Sequence, residues 1–260
     1  MTHTPPSSGT PRPVALVTGV GRTVGIGSAV ARRLAASGWD VAFTHWSAYD
    51  ARMSWGAEPG ATRSTLDALA GHGARAVAVE ADLADTATAA RVFDTVQERL
   101  GPVSALIMCH CESVDSTLLE TTVDSFDRHF AVNARATWQL AREFGLRFAG
   151  EHGSGRIVAL TSDDTVGNLP YGASKGALDR IVLSCARELA HLGVSANVVN
   201  PGPVDTGWMS ERTKAECARH TPLGRLGTPQ DTADLVEFLC SPRGRWVNGQ
   251  LLTSDGGISA

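Results

Sequence analysis

Tyr171 and Lys175 stand four positions apart in Tyr-Gly-Ala-Ser-Lys, downstream of Ser162, which closes a run of strand-forming residues. On a helix, positions i and i+4 share a face, so this spacing sets an ammonium beside a phenol hydroxyl. A free phenol ionises at about pH 10 and exchanges protons poorly near neutrality. A fixed cation favours the phenolate, so Lys175 is expected to lower the tyrosine pKa towards the range where general acid–base catalysis is efficient. A serine hydroxyl at the preceding strand end can hold a substrate oxygen while the tyrosine moves the proton. The three side chains read as a carbonyl–alcohol redox site, given a hydride carrier close by. Tyr-x-x-x-Lys alone is a short pattern that an ordinary amphipathic helix also produces, with a half-buried aromatic and a solvated lysine. The surrounding sequence separates the two readings.

A carrier site is legible near the start of the chain. Thr18-Gly19-Val20-Gly21-Arg22-Thr23-Val24-Gly25-Ile26-Gly27 joins a β-branched strand, Val14–Thr18, to a helical pattern over Ile26–Ser37 that Gly38 stops. Gly19, Gly25, Ile26 and Gly27 form a turn that lets a pyrophosphate approach the backbone without an intervening Cβ. The helix that follows offers free N–H groups to the phosphates. Asp82-Leu83, directly after a third strand, is a second signal: its carboxylate can accept from an adenine amino group, or can cap the helix near Thr86. The second strand ends in Phe43-Thr44-His45-Trp46, with no carboxylate until Asp50. An acid there would hold the ribose 2′-hydroxyl of NAD, whereas a 2′-phosphate calls for a cation. Arg22 and His45, with Arg52 beyond them, are the cationic candidates, so NADP(H) is expected over NAD(H).

Strand-like and helical segments alternate along the chain. Val41–Thr44, Ala76–Glu80, Val103–Cys109, Gly155–Thr161, Val194–Val199 and Gln250–Thr253 read as strands. Thr62–Gly71, Thr86–Leu100, Val123–Ala149, Tyr171–Leu192 and Pro229–Cys240 read as helices, and His45–Gly60 as an irregular insertion. Such alternation implies right-handed crossovers and an α/β fold: one doubly wound parallel sheet with helices on both faces. Residues 1–13, rich in Pro, Ser and Thr, read as a disordered tail, and 14–260 as one domain with a substrate lid around 201–223.

Composition bounds the partners. With 43% hydrophobic and 19% charged residues, the chain has the balance of a soluble globular protein. A net charge of −4 and no basic run argue against nucleic acid. No apolar run reaches the roughly 18 residues of a membrane span, and the tail has no secretory core, so a cytoplasmic enzyme with a small-molecule substrate is expected. Five cysteines, an odd number, read as reduced thiols. Cys109-His110-Cys111 is too tightly spaced for a zinc set and has no second ligand pair, so no metal is expected.

From Val14 to Gly257 the sequence resembles the short-chain dehydrogenase/reductase family. The resemblance runs through the glycine turn, Asp82-Leu83, Asn133 in Ala-Val-Asn-Ala-Arg, Ser162, Tyr171 and Lys175, then Asn200-Pro201-Gly202-Pro203-Val204-Asp205-Thr206 and Ser254-Asp255-Gly256-Gly257. Within the family it is similar to ketoreductases of the 3-oxoacyl-carrier-protein reductase type. The resemblance implies a Rossmann-type fold, Ser162 orienting a substrate carbonyl, and Tyr171 as proton donor in reduction and base in oxidation. It further implies that Lys175 holds the nicotinamide ribose and that Asn133 binds a relay water at a local helix distortion. Pro201, Gly202, Val204 and Thr206 would lie along the nicotinamide, and a homo-oligomer, tetramer or dimer, is implied.

Three features depart from the family pattern. The turn between Gly19 and Gly25 is longer than usual and resembles that of enoyl reductases, although those space their tyrosine and lysine more widely. Met108-Cys109-His110-Cys111 replaces the usual Asn-Asn-Ala-Gly with bulkier residues beside the cofactor. The Asp163–Pro170 loop is short and carries two acids, with Thr161 and Thr165 as alternative hydroxyls to Ser162. An enoyl reductase and a non-redox, cofactor-binding relative are the alternatives to ketone reduction.

Overall fold

Residues 12–260 are described by a computed structural model. Strands β1 (Val14–Thr18), β2 (Asp40–His45), β3 (Ala76–Glu80), β4 (Val103–Met108), β5 (Arg156–Leu160), β6 (Ser195–Asn200) and β7 (Leu251–Thr253) form one sheet in the order β3-β2-β1-β4-β5-β6-β7. Every neighbouring pair is parallel. Between the strands run α1 (Ile26–Ala36), α2 (Ser47–Arg52), α3 (Ala61–Gly71), α4 (Thr88–Arg99), α5 (Val123–His129), α6 (Ala136–Arg147), α7 (Leu169–Glu188), α8 (Glu211–His220) and α9 (Pro229–Cys240).

The sequence of β1 shows why the sheet is covered twice. Val14 and Leu16 join a core with α4, α6 and α7, while Ala15 and Val17 join a second core with α1, α3 and α9. Alternate side chains of one strand point to opposite faces, so an unbroken apolar run needs helices on both. Phe43, Phe93 and Phe144 are fully buried, and each contributes on the order of 1.5–3 kcal/mol by leaving water. Strand order reverses between β1 and β4, which opens a crevice beyond their carboxyl ends. Among the described residues no helix is long and apolar enough to cross a membrane.

The structure corrects several expected boundaries. The tail expected at 1–13 lies outside the described residues except for Arg12 and Pro13, and Arg12 is fastened. Its guanidinium donates to the carbonyls of Ala35 and Trp39 and pairs with Asp40. The insertion read as irregular contains α2, a helix too short to show an apolar period, buttressed by the Trp55 indole donating to Asp50 at 2.9 Å. The helix start expected at Thr86 moves to Thr88 because Asp85 accepts from the Ala87 amide and the Thr88 hydroxyl. The single long helix expected over Val123–Ala149 is interrupted by a π-helical turn at Phe130–Arg135. At that turn Asn133 bonds the main chain of Glu112 in both directions, accepting its N–H at 2.7 Å and donating to its carbonyl at 2.9 Å. Helix α7 begins at Leu169, with Pro170 in its first turn, and ends at Glu188 before a 3-10 turn.

Candidate active site

The crevice at the sheet's switch point is a cleft of about 1000 Å³. Gly19, Arg22, Gly25, Ile26, Gly27, His45, Asp82, Leu83, Ser162, Tyr171, Lys175, Pro201, Gly202, Val204 and Thr206 all border it. Asn133 is fully buried behind the wall. Of the alternative hydroxyls, Thr161 borders the cleft and Thr165 does not.

The glycine turn fits a dinucleotide phosphate. Gly19 has φ +75°, and a Cβ on it would stand 2.6 Å from the His110 backbone. The turn thus lies directly against the segment after β4, as a close backbone approach requires. Helix α1 has no side-chain cap and no acid in its first turn, which leaves its N–H groups for an anion in the cleft. The insertion folds back over the turn. Glu58 accepts from the Thr23 amide at 2.8 Å and its hydroxyl at 2.6 Å. The buried Asp50 carboxylate lies 3.7 Å from Arg22, whose guanidinium sits 4.6 Å from the centre of the Trp55 ring. Trp55 meets Trp208 from beyond β6 edge to face, 5.5 Å between centroids. The carboxylate that the sequence places beyond the second strand is therefore inside the cleft, paired with a candidate cation.

On the adenosine side, His45 is in register with Glu80; burial lowers its pKa while Glu80 opposes the shift. Asp82 is not the cap of α4. It accepts from the Ala84 amide at 2.9 Å and from Arg128 at 3.3 Å. Arg128 also faces the buried Glu112, which Arg52 grips from across the cleft. Glu112 and Arg128 escaped the sequence reading. The one signal was an acid four residues beyond an apolar strand, with its partners far away in sequence.

The Cys109–Cys111 segment is bulky yet satisfied. The Thr18 hydroxyl bonds His110 Nδ1 at 2.7 Å, and His110 Nε2 bonds the Val132 carbonyl at 3.1 Å. A carbonyl can only accept, so Nε2 carries the proton and Nδ1 accepts from Thr18. Burial first, and then the Lys175 charge, push the His110 pKa down to about 3, so the ring is neutral. It ties the end of β1 to the π-helical turn. Burial pushes the Cys109 thiol up to about 12 and raises Cys111 as well, the reverse of what metal-binding thiolates need. Among the described residues no group of three His, Cys, Asp or Glu side chains could hold a metal.

At the other end of the cleft, α7 brings Tyr171 and Lys175 onto one face beside Ser162. Lys175 Nζ is buried, donates to the Leu160 carbonyl at 2.9 Å and lies 5.6 Å from the centre of the tyrosine ring. Contrary to the expectation that Lys175 lowers it, the Tyr171 pKa is raised, chiefly by burial. Cys111 adds to the rise and a hydrogen bond with Ser162 opposes it. Burial also lowers the Lys175 pKa. Burial thus favours the protonated phenol, and the ammonium is turned to a carbonyl. The local helix distortion expected at Asn133 is the π-helical turn itself. The Asn133 amide is used up by Glu112 and by Ser174 at 2.8 Å, and its main-chain carbonyl accepts from Thr137 at 2.8 Å. Gly202 has φ +61°, and its hydrogen faces Asp255, where a Cβ would stand 2.4 Å from the aspartate Cβ.

A serine, tyrosine and lysine at the switch point of one doubly wound sheet define a class of oxidoreductases on the Rossmann-type fold. A family model described as enoyl-(acyl carrier protein) reductase matches residues 19–259. An uncharacterized oxidoreductase of Bacillus subtilis is 35% identical over 250 residues, covering 94% of this chain and 96% of its own length. The 3-oxoacyl-[acyl-carrier-protein] reductase MabA of Mycobacterium tuberculosis is 32% identical over 250 residues, covering 94% and 91%. Among solved structures, a blue fluorescent protein from a metagenomic library in complex with NADPH superposes with a TM-score of 0.84 at 36% identity, covering 95% of this chain and 98% of its own. The chain belongs to the short-chain dehydrogenase/reductase family.

Proposed function

We propose that this protein is an NADP(H)-dependent reductase that converts a ketone reversibly to an alcohol. The observation that carries the reading is the placement of Ser162, Tyr171 and Lys175 together at one end of a cleft whose other end is a phosphate-fitting glycine turn. The nicotinamide, when bound, supplies the hydride to the carbonyl carbon. The Ser162 hydroxyl donates to the carbonyl oxygen and holds it against Tyr171. The phenol gives its proton to that oxygen as negative charge develops there. Its raised pKa keeps it in the donating form at neutral pH. Lys175, fixed by Leu160, presents its remaining N–H groups to a ribose and to the tyrosine. Gly19, Gly25, Ile26 and Gly27 would hold the pyrophosphate, Asp82 and Leu83 the adenine, and Pro201, Gly202, Val204 and Thr206 the nicotinamide.

Preference for NADP(H) is supported by the NADPH complex of a structural relative and by Arg22 and His45 at the 2′ position, with Asp50 working against it. The enoyl-reductase alternative draws on the long glycine turn and on the matched model's description. The four-residue Tyr–Lys spacing on one turn of α7 favours ketone chemistry. A non-redox role leaves the Ser162, Tyr171 and Lys175 set unexplained. A cytoplasmic homo-oligomer, dimer or tetramer, is part of the same reading. Leu118, Leu119, Val123 and Trp138 stand exposed around α5 and α6, an apolar surface that a second copy would cover.

Tyr171→Phe tests the assignment, because it removes the hydroxyl and keeps the ring. Turnover of NADPH with a panel of ketones should fall by about 10²–10⁴-fold with cofactor affinity nearly unchanged. Turnover close to wild type refutes the mechanism. Activity confined to α,β-unsaturated thioesters moves the enoyl reading ahead.

A further inference from the structure

We propose that the insertion after β2 is a clasp closed across the cleft, and that its opening sets the rate of cofactor exchange. The inference rests on the dinucleotide reading of the cleft and adds how the nucleotide enters and leaves. Two contacts reach from α2 to the segment after β4. The Tyr49 hydroxyl donates to the Ser113 carbonyl at 3.3 Å, and the Arg52 guanidinium holds both carboxylate oxygens of Glu112. In the sheet, β1 lies between β2 and β4. A bond between the segments that follow β2 and β4 therefore passes beyond the carboxyl end of β1, where the glycine turn starts. That is the place a dinucleotide's pyrophosphate takes in a doubly wound sheet. The two contacts act as one piece, because the guanidinium lies 5.1 Å from the centre of the Tyr49 ring. Tyr49 borders the cleft, while the Arg52 side chain is 42% exposed. The ring faces inward and the guanidinium faces water, as in a roof.

The two sides of this roof are built differently. On the β4 side the wall is fixed. Glu112 and Ser113 are buried, and Asn133 holds the Glu112 main chain through both its N–H and its carbonyl. Arg128 faces the Glu112 carboxylate at 3.5 Å from that same side, so the acid keeps a cation when Arg52 leaves. On the β2 side the insertion is fastened to the glycine turn by Glu58 and Thr23 and by Asp50 and Arg22. Between the sides the connection is weak. Among the described residues no backbone–backbone hydrogen bond joins residues 46–60 to residues 109–115. What spans the gap there is one phenol hydrogen bond and one half-exposed ion pair, contacts that contribute little net stability each. The insertion thus swings as a folded unit once side-chain tips part, with no strand or helix to unmake. Arg52, a cationic candidate for the 2′-phosphate by sequence, is committed to Glu112 instead.

Stopped-flow fluorescence tests this by measuring association and dissociation of NADPH and of NADH separately, in wild type and in Tyr49→Phe/Arg52→Met. The first change keeps the ring and removes the bond to Ser113. The second keeps an apolar stem over the ring and removes the ion pair. With the clasp undone, kon and koff should rise together, each on the order of tenfold and for both cofactors. The dissociation constants should then move by less than about threefold, since the two rises offset each other. A direct contact of Arg52 with the 2′-phosphate gives a different pattern, a faster koff for NADPH alone. That pattern overturns the proposal, as do rate constants unchanged in the double variant, and either leaves the dinucleotide reading standing. Tyr49→Phe alone should show the same paired rise on a smaller scale, and it carries the test if the double variant does not fold. If the wild type takes up neither cofactor, the clasp requires that the variant bind one. Binding by neither protein ends the dinucleotide reading and the clasp with it.

Discussion

Asp50 opposes the cofactor preference proposed here, and removing its charge should strengthen that preference. Its carboxylate lies 3.7 Å from Arg22 Nε, with the two side chains 9% and 16% exposed. At an effective dielectric constant of about 20, that separation corresponds to about 4 kcal/mol of attraction. Partial exposure and the pair's own solvation reduce the net coupling to about 1–2 kcal/mol. An incoming 2′-phosphate competes with Asp50 for Arg22 and feels the carboxylate's repulsion, whereas a 2′-hydroxyl feels neither strongly. Asp50→Asn keeps an oxygen for the Trp55 indole, so the insertion stays folded. NADPH should then bind roughly 5- to 30-fold more tightly, with NADH shifting less than about twofold. Fluorescence titration of each reduced cofactor against wild type and variant measures both constants. Equal shifts for the two cofactors, or weaker NADPH binding, would show that Arg22 does not serve the phosphate.

Other consequences follow from groups already described. Because burial raises the Tyr171 pKa, reduction, which needs the protonated phenol, should be flat with pH up to about 9. Oxidation of the alcohol, which needs the phenolate, should climb through the alkaline range; a bell centred near neutrality in the reductive direction contradicts this. His110 is held neutral in the fold with its pKa down to about 3 from 6.5, so the unfolded chain binds a proton below about pH 6.5 that the folded chain refuses. Its share of stability is whole above that pH and is lost on acidification, by about 2 kcal/mol at pH 5. Urea unfolding at pH 5 and pH 7 should show a shallower pH slope in His110→Gln, and equal slopes refute the assignment. Gly19→Ala forces a side chain at positive φ into the His110 backbone, so it should cost about 2 kcal/mol or more in melting experiments and abolish cofactor binding. Wild-type NADPH affinity in that variant would mean the turn yields more easily than its packing implies.

What the sequence shows depends on how far apart the partners lie. Helix α9 has the expected bounds because Thr228 and Asp231 form a capping box within one turn. The apolar run of β1 reads as a strand covered on both faces because its alternate residues feed two cores. The placement of Tyr171 and Lys175 on one face was visible as a spacing on a single helix. The fold of Asp50 onto Arg22 and the reach of Arg52 and Arg128 to Glu112 were not visible. Each joins segments with no shared periodicity, and only the tertiary fold brings them together. The π-helical turn at Asn133 escaped the 3.6-residue pattern for the same reason, since its cause is the Glu112 main chain. The orientation of Lys175 towards Leu160, rather than towards the phenol, rests on the end of β5, which helical spacing cannot report.

The edge-to-face contact of Trp55 with Trp208 joins the insertion after β2 to the segment after β6. Both tryptophans line the cleft, and the insertion that carries Trp55 also bonds the glycine turn through Glu58. In the proposed reaction, a substrate that draws Trp208 inward would also move the segment bonded to the glycine turn. By thermodynamic reciprocity, the factor by which bound ketone changes cofactor affinity equals the factor by which bound cofactor changes ketone affinity. One aromatic edge gives the two segments a shared boundary, through which the proposed substrate and cofactor would report on each other.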